Sequence, residues 1–153
     1  MDLKRIRDVE LFEGLTDDEL SRIVKLAKQT DFASGNVVVR EGTPGGMLHV
    51  ILDGQVEVRK RAVGGNEKPL AVLYQGAVFG EMSLFDGYPF SASVVAKAPT
   101  KTMSLMKNDF VQLAEAKPAV AYKVTVNLIN ILSRKLRKTN ENLVTLALLR
   151  DRG

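Results

Sequence analysis

The residues best suited to chemistry lie in FGEMSLFDGYPFSASVV, residues 79 to 95. Gly80 and Glu81 open the stretch, and a short helical turn is expected through Met82, Ser83 and Leu84. A glycine lets backbone approach a ligand closely, and free N–H groups at a helix start face an anion that the helix dipole favours. Ser91 adds a hydroxyl donor, with Ala92 beside it. Tyr88-Pro89 breaks the turn, and a strand resumes at Ser91. Where the chain returns to the pocket, an anion site calls for a cation, and this sequence has Phe90. Tyr88, Pro89 and Ser91 are uncharged, so no adjacent residue supplies one; Arg59 and Lys135 are candidates to reach in from elsewhere.

Other chemistries find little support. Cysteine is absent, which removes disulfides and thiolate metal sites and fits a reducing, cytoplasmic setting. His49 is the sole histidine, alternating with apolar neighbours in MLHVIL, and is expected to be packed or at a strand edge; a catalytic metal generally needs more than one. No metal is expected. No Ser–His–Asp set, paired-carboxylate motif or P-loop occurs, so an enzyme is not expected. Neither a signal core nor an apolar run of membrane-spanning length is found.

These residues need elements to position them. The chain of 153 residues, with a formal charge of +4, divides into three stretches. In LTDDELSRIVKLAKQ, Leu20, Ile23, Val24 and Ala27 fall at helical spacing, Thr16 and Glu19 form a capping box, and a turn from Val9 to Phe12 is expected beside it. From about residue 30 to 107, VVVR, MLHVILDG, QVEVRKR, LAVLY, SASVVA and KTMSLMK read as short strands between turn signals, with Asp53-Gly54 as a hairpin turn. The spacing suggests a sandwich or jelly roll. Asn108 is expected to cap a helix through DFVQLAEA, and Pro118 to open a long helix to about Arg150. Along that helix Tyr122, Thr125, Ile129, Leu132, Leu136, Thr139, Leu143 and Leu146 step by threes and fours. A second stripe, Val124, Leu128, Ile131 and Lys135, suits the β-region. One small β-region cannot bury both stripes, so a homodimer through residues 122–150 is expected. The cluster SRKLRK could attract nucleic acid or an acidic partner; a solvated helix face is the favoured reading.

EGTPGGMLHVILDGQVEV at 41 to 58, followed by the stretch from Phe79, resembles the cyclic nucleotide-binding domain, most like bacterial regulators of the catabolite activator type. Gly42, Gly54, Phe79-Gly80-Glu81 and Pro89 carry the likeness, which covers nearly the whole chain. It implies a double-stranded β-helix jelly roll, mainly β with flanking helices, over residues 1–117, and a dimerisation helix over 118–153. By resemblance the segment from Gly80 is a phosphate-binding cassette and Glu81 takes a ribose 2′-hydroxyl. Leu73 and Val78 are apolar walls, and Thr139 and Asn140 meet a purine, one from each subunit. The family places an arginine where Phe90 stands.

The ligand implied is cAMP or another cyclic nucleotide, bound weakly or replaced by a less anionic guest. A lost charge-assisted hydrogen bond is worth roughly ten- to a hundredfold in affinity. The function implied is a regulatory sensor that signals through a ligand-dependent shift of its long helix to a protein partner. The alternatives are a ligand-free dimerisation module plugged by Phe90, and the sensor part of a longer transcription regulator. Nothing after LLRDRG resembles a helix-turn-helix, so direct DNA binding is not expected of the chain as it stands, nor is membrane association.

Overall fold

The computed structural model describes residues 1–151. Helix α1 (Leu3–Arg7), a 3-10 turn (Glu10–Phe12) and helix α2 (Asp17–Leu26) precede strands β1 (Lys28–Phe32), β2 (Val37–Val39), β3 (Met47–Asp53), β4 (Gln55–Arg61), β5 (Glu67–Tyr74) and β6 (Val78–Phe79). Helix α3 (Glu81–Asp86) interrupts the strands, β7 (Ser93–Ala96) and β8 (Thr100–Met106) complete them, and α4 (Lys107–Ala116) and α5 (Pro118–Arg150) follow. The strands form two four-stranded antiparallel sheets, ordered β1-β8-β3-β6 and β2-β7-β4-β5, which face each other as a jelly-roll sandwich. No described helix is long and apolar enough to cross a membrane. Arg152 and Gly153, the end of the expected 118–153 segment, lie outside the described residues.

Strand β3 shows why the roll needs its helices. It is buried on both faces, so apart from His49 and the terminal Asp53 its sequence is apolar rather than alternating. Leu48, Val50 and Leu52 belong to the core shared with the helices, together with Ile23, Phe110, Val124, Leu128 and Ile131. Ile51 faces the other way, into the roll, with Val39, Val56, Phe79 and Val94.

Several local expectations hold. Thr16 Oγ1 accepts from the Glu19 N–H at 3.3 Å, and Glu19 Oε2 accepts from the Thr16 N–H at 2.9 Å, completing the capping box. Pro118 starts α5, which ends at Arg150.

Others are corrected. Asp53-Gly54 is not a hairpin turn: β3 pairs with β6 and β8, and β4 pairs with β5 and β7, so the chain changes sheet there. Gly54 is at φ 86°, and a Cβ would lie 2.4 Å from the Pro99 carbonyl oxygen, so the corner has room only for glycine. Strand β1 begins at Lys28, inside the stretch expected to be helical; its polar sequence KQTDF joins an edge by pairing with β8. Asn108 does not cap α4, which starts at Lys107 with Met106 at the cap position and no side-chain cap bond.

Candidate functional site

The cassette is shaped by two left-handed glycines and a supporting loop. Gly80 (φ 75°) turns the chain from β6 into α3, and Gly87 (φ 72°) ends that helix. Ser83 Oγ donates to the Gly80 carbonyl at 2.9 Å, closing the first turn. Residues 42–46 brace the return segment. The Phe90 N–H donates to the Thr43 carbonyl at 3.0 Å, and the Gly42 N–H donates to the Phe90 carbonyl at 2.9 Å. Gly45 lies against α3 so closely that a Cβ would fall 2.3 Å from Ser83 Cβ and 2.4 Å from the Tyr88 carbonyl oxygen.

Phe90 is therefore held at both backbone groups, and its ring turns inward. It is partly buried against the interior cluster of Phe79, Val39 and Val94. Its Cε1 lies 3.2 Å from where a Cβ on Gly80 would stand, and the Met47 carbonyl oxygen lies 2.5 Å from the same point. That side of Gly80 is filled by protein, so the glycine serves close packing as well as the turn. Beneath Phe79 the His49 ring stacks at 4.8 Å and 2°. His49 is 5% exposed, and neither ring nitrogen has a hydrogen-bond partner among the described residues. Burial pushes its pKa down to about 4.

Above this floor, a cleft of about 950 Å³ opens between the roll, α3 and α5. Leu73, Phe79, Gly80, Glu81, Met82, Ser83, Phe90, Ser91, Ala92 and Thr139 all line it. Val78 does not: its side chain is in the helix-side core, and only its carbonyl turns towards α5. Asn140 is exposed and outside the cleft of its own chain. Ser91 contributes its carbonyl to a bond from Lys60 Nζ, and Thr139 Oγ1 donates to the Lys135 carbonyl at 2.9 Å.

Of the two cations considered, Lys135 enters and Arg59 does not. Lys135 Nζ donates to the Val78 carbonyl at 2.7 Å and to Glu81 Oε1 at 3.0 Å. Arg59 pairs with Glu57 Oε1 at 2.7 Å, away from the cleft. Glu81 is 7% exposed, so Lys135 neutralises a carboxylate whose isolated burial would be costly. The sequence reading missed Lys138, Asn142 and Asp86 as lining residues. Lys135, Lys138, Thr139 and Asn142 share one face by their spacing of three and four, a signal obscured by the competing apolar seam.

The model of the cyclic nucleotide-binding domain matches residues 29–117. The chain belongs to the cyclic nucleotide-binding domain family. A cyclic AMP receptor protein of Thermus thermophilus is 33% identical over 130 residues, which are 85% of this chain and 58% of that protein. A CRP-like cAMP-activated global transcriptional regulator of Mycobacterium tuberculosis is 29% identical over 89% of this chain and 59% of its own length. The chain thus spans a little under three-fifths of these regulators.

Among solved structures, a cyclic nucleotide-binding domain from Methylobacillus flagellatus superposes with a TM-score of 0.83 at 29% identity, covering 93% of this chain and 80% of that one. The regulatory subunit of a cAMP-independent protein kinase A from Trypanosoma brucei gives a TM-score of 0.74 at 25% identity, covering 95% of this chain and 50% of that one. That structure is a triple mutant, one change replacing threonine by arginine, with cAMP bound in its A site.

Proposed function

We propose that this cyclic nucleotide-binding domain is a ligand-responsive regulatory module acting as a homodimer. In this reading residues 1–117 form the cup and residues 118–153 the output helix. The observation that carries it is the position of the cleft: its walls belong to the roll, the cassette and α5 together, and Lys135 ties α5 to Glu81. A guest in the cleft contacts all three and shifts the balance between orientations of α5. The dimer reading is supported by Tyr122, Ile129, Leu136, Leu143 and Leu146, large apolar residues of α5 left exposed while Val124, Leu128 and Ile131 are buried. By the family resemblance, Asn140 meets the guest of the other subunit in such a dimer. The output surface acts on a further protein, and no catalytic step is assigned.

Cyclic nucleotide binding is weakened in this reading. The cassette presents an aromatic ring where the family pattern has an arginine, and Glu81, the family's ribose acceptor, is already engaged by Lys135. The cAMP-independent kinase subunit is bound to cAMP as a triple mutant that gains an arginine among its changes. Calorimetric titration with cAMP and cGMP tests this. Wild type is expected to bind at best in the high micromolar range. Phe90→Arg is expected to tighten cAMP binding about ten- to a hundredfold. Nanomolar binding of cAMP by wild type removes the claim of weakening, and no gain in Phe90→Arg removes the claim that the pocket is otherwise intact.

A second reading, a ligand-free dimerisation module, is favoured by the Phe90 ring lying over Gly80. The open volume above that ring counts against complete closure. Mass spectrometry of small molecules that copurify with the protein separates the two. A third reading makes the chain the sensor portion of a longer regulator, in keeping with its coverage of the Thermus and Mycobacterium proteins.

A further inference from the structure

We infer that the cleft takes an amphipathic organic anion, held with its apolar body inside the roll against Phe90 and Phe79 and its anionic head against α5 at Lys138 and Asn142. This rests on the reading of the cleft as a ligand site and adds the class and direction of the guest.

The walls differ in polarity. The roll side is apolar, with Val39, Val58, Leu73, Phe79, Phe90 and Val94. The cassette side carries two carboxylates, Glu81 and Asp86. Lys135 balances Glu81, and Asp86 Oδ1 accepts from the Tyr88 N–H at 2.9 Å. An anion placed against the cassette meets an aromatic ring and like charge, and the cations nearest it, Lys135, Lys60 and Lys107, are engaged by Glu81, Glu41 and the Phe85 carbonyl. Among the described residues the cations that line the cleft, Lys135 and Lys138, are both on α5. Lys135 already has two acceptors, whereas Lys138 makes no hydrogen bond or ion pair among the described residues. Nearby Arg134 is paired with Glu10. Asn142, one turn beyond Lys138 on the same face, also lines the cleft and has no recorded side-chain bond among the described residues. An ammonium and an amide at i and i+4 suit a carboxylate. Aryl- and alkyl-carboxylates meet both conditions. A cyclic phosphate directed at the cassette meets neither.

The probe is 4-phenylbutyrate, with its uncharged counterpart 4-phenylbutyramide, titrated into the intact chain and followed by heteronuclear NMR. Ring-current shifts are expected at Phe90, Leu73 and Val94, and head-dependent shifts at Lys138 and Asn142. Wild type is expected to prefer the carboxylate by up to about fivefold, the upper end for an exposed charge pair, with the preference shrinking at high salt. Lys138→Gln should erase that preference by weakening the carboxylate more than the amide; lysine and glutamine have similar helix propensity, so α5 should persist. Phe90→Ala should weaken both probes alike. An unchanged preference in Lys138→Gln, ring-current shifts confined to α5, or no binding of either probe at millimolar concentration overturns the inference. The Phe90→Arg titration with cAMP reports separately on the site. If that variant binds cAMP while Lys138→Gln keeps the carboxylate preference, the inference falls and the reading of the cleft as a ligand site stands.

Discussion

Gly45 is conspicuous for space rather than for backbone freedom. A methyl group there would enter the Ser83 side chain and the Tyr88 carbonyl at 2.3 and 2.4 Å, both parts of the cassette. Its neighbour Gly46 is different: it sits at φ 88°, and a Cβ would meet only Lys107, at 3.9 Å. Gly45→Ala is therefore expected to force α3 and the Phe90 segment apart, at about 1–3 kcal/mol in urea unfolding, with loss of ligand binding. A fully stable Gly45→Ala would show that the loop yields freely. His49 sets a second expectation. It is neutral and unpartnered in the folded roll, with its pKa depressed from 6.5 to about 4, so the folded state binds fewer protons than the unfolded chain between those values. Stability should be full above pH 6.5 and fall by roughly 2–3 kcal/mol on acidification to about pH 4.5. Hydrogen bonds from Lys123, Lys60 and Arg59 hold Glu19, Glu41 and Glu57 below the usual carboxylate value, so their contribution is lost only at lower pH. His49→Leu should flatten the pH 4.5 to 6.5 window in thermal melts and leave the deeper acid limb in place. An unaltered slope would assign it to other groups.

Helix α5 has two faces that substitutions can separate. Val124, Leu128 and Ile131 are buried in the core with α4 and the 3-10 turn, and Leu136, Leu143 and Leu146 are exposed. Leu143→Glu should leave the melting temperature of a dilute sample nearly unchanged and shift sedimentation from dimer to monomer. Leu128→Ala should do the reverse, costing about 2–5 kcal/mol of unfolding free energy. A monomeric wild type at millimolar concentration would remove the seam as an interface. The buried stripe was readable from spacing because helical periodicity is a local signal, whereas two residues of the expected seam went elsewhere: Leu132 packs against the core and Thr139 lines the cleft. The capping box and Pro118 were readable too, since their roles depend on residues within one turn. Two of the failures share a physical origin in partners distant in sequence. KQTDF has no strand pattern of its own and is a strand only because β8 pairs with it. Asp53-Gly54 has hairpin chemistry, but pairing sends its two strands into different sheets. In the site, the cassette glycines and Glu81 were legible as a local motif. The brace from residues 42–46 was not, because it acts across more than thirty residues, and of the polar face of α5 Lys135 and Thr139 were singled out while Lys138 and Asn142 were not.

Across the whole molecule, polar ties fasten only the first half of α5. Lys123 pairs with Glu19 at 2.8 Å, and Asn127 Nδ2 donates to the Leu11 and Glu13 carbonyls at 3.0 and 2.9 Å. Arg134 meets Glu10, and Lys135 meets Val78 and Glu81. Beyond Lys135 no hydrogen bond or ion pair joins α5 to the roll among the described residues. The helix is thus anchored up to the cleft and free past it, and Lys135 is the last fastening. Removing that fastening should act on the cassette before it acts on the fold. Lys135→Met is expected to leave Glu81 buried and unpaired, costing about 1–3 kcal/mol. It should also speed amide exchange in β6 and α3 while β4 and β5 keep their protection. Adding Glu81→Gln removes the stranded charge, so the double variant should recover most of the loss, and a double-mutant cycle should give a coupling of at least about 0.5 kcal/mol. Additive costs, or exchange that rises evenly across both sheets, would mean that Lys135 only packs against the roll and that α5 is coupled to the cassette by some other contact.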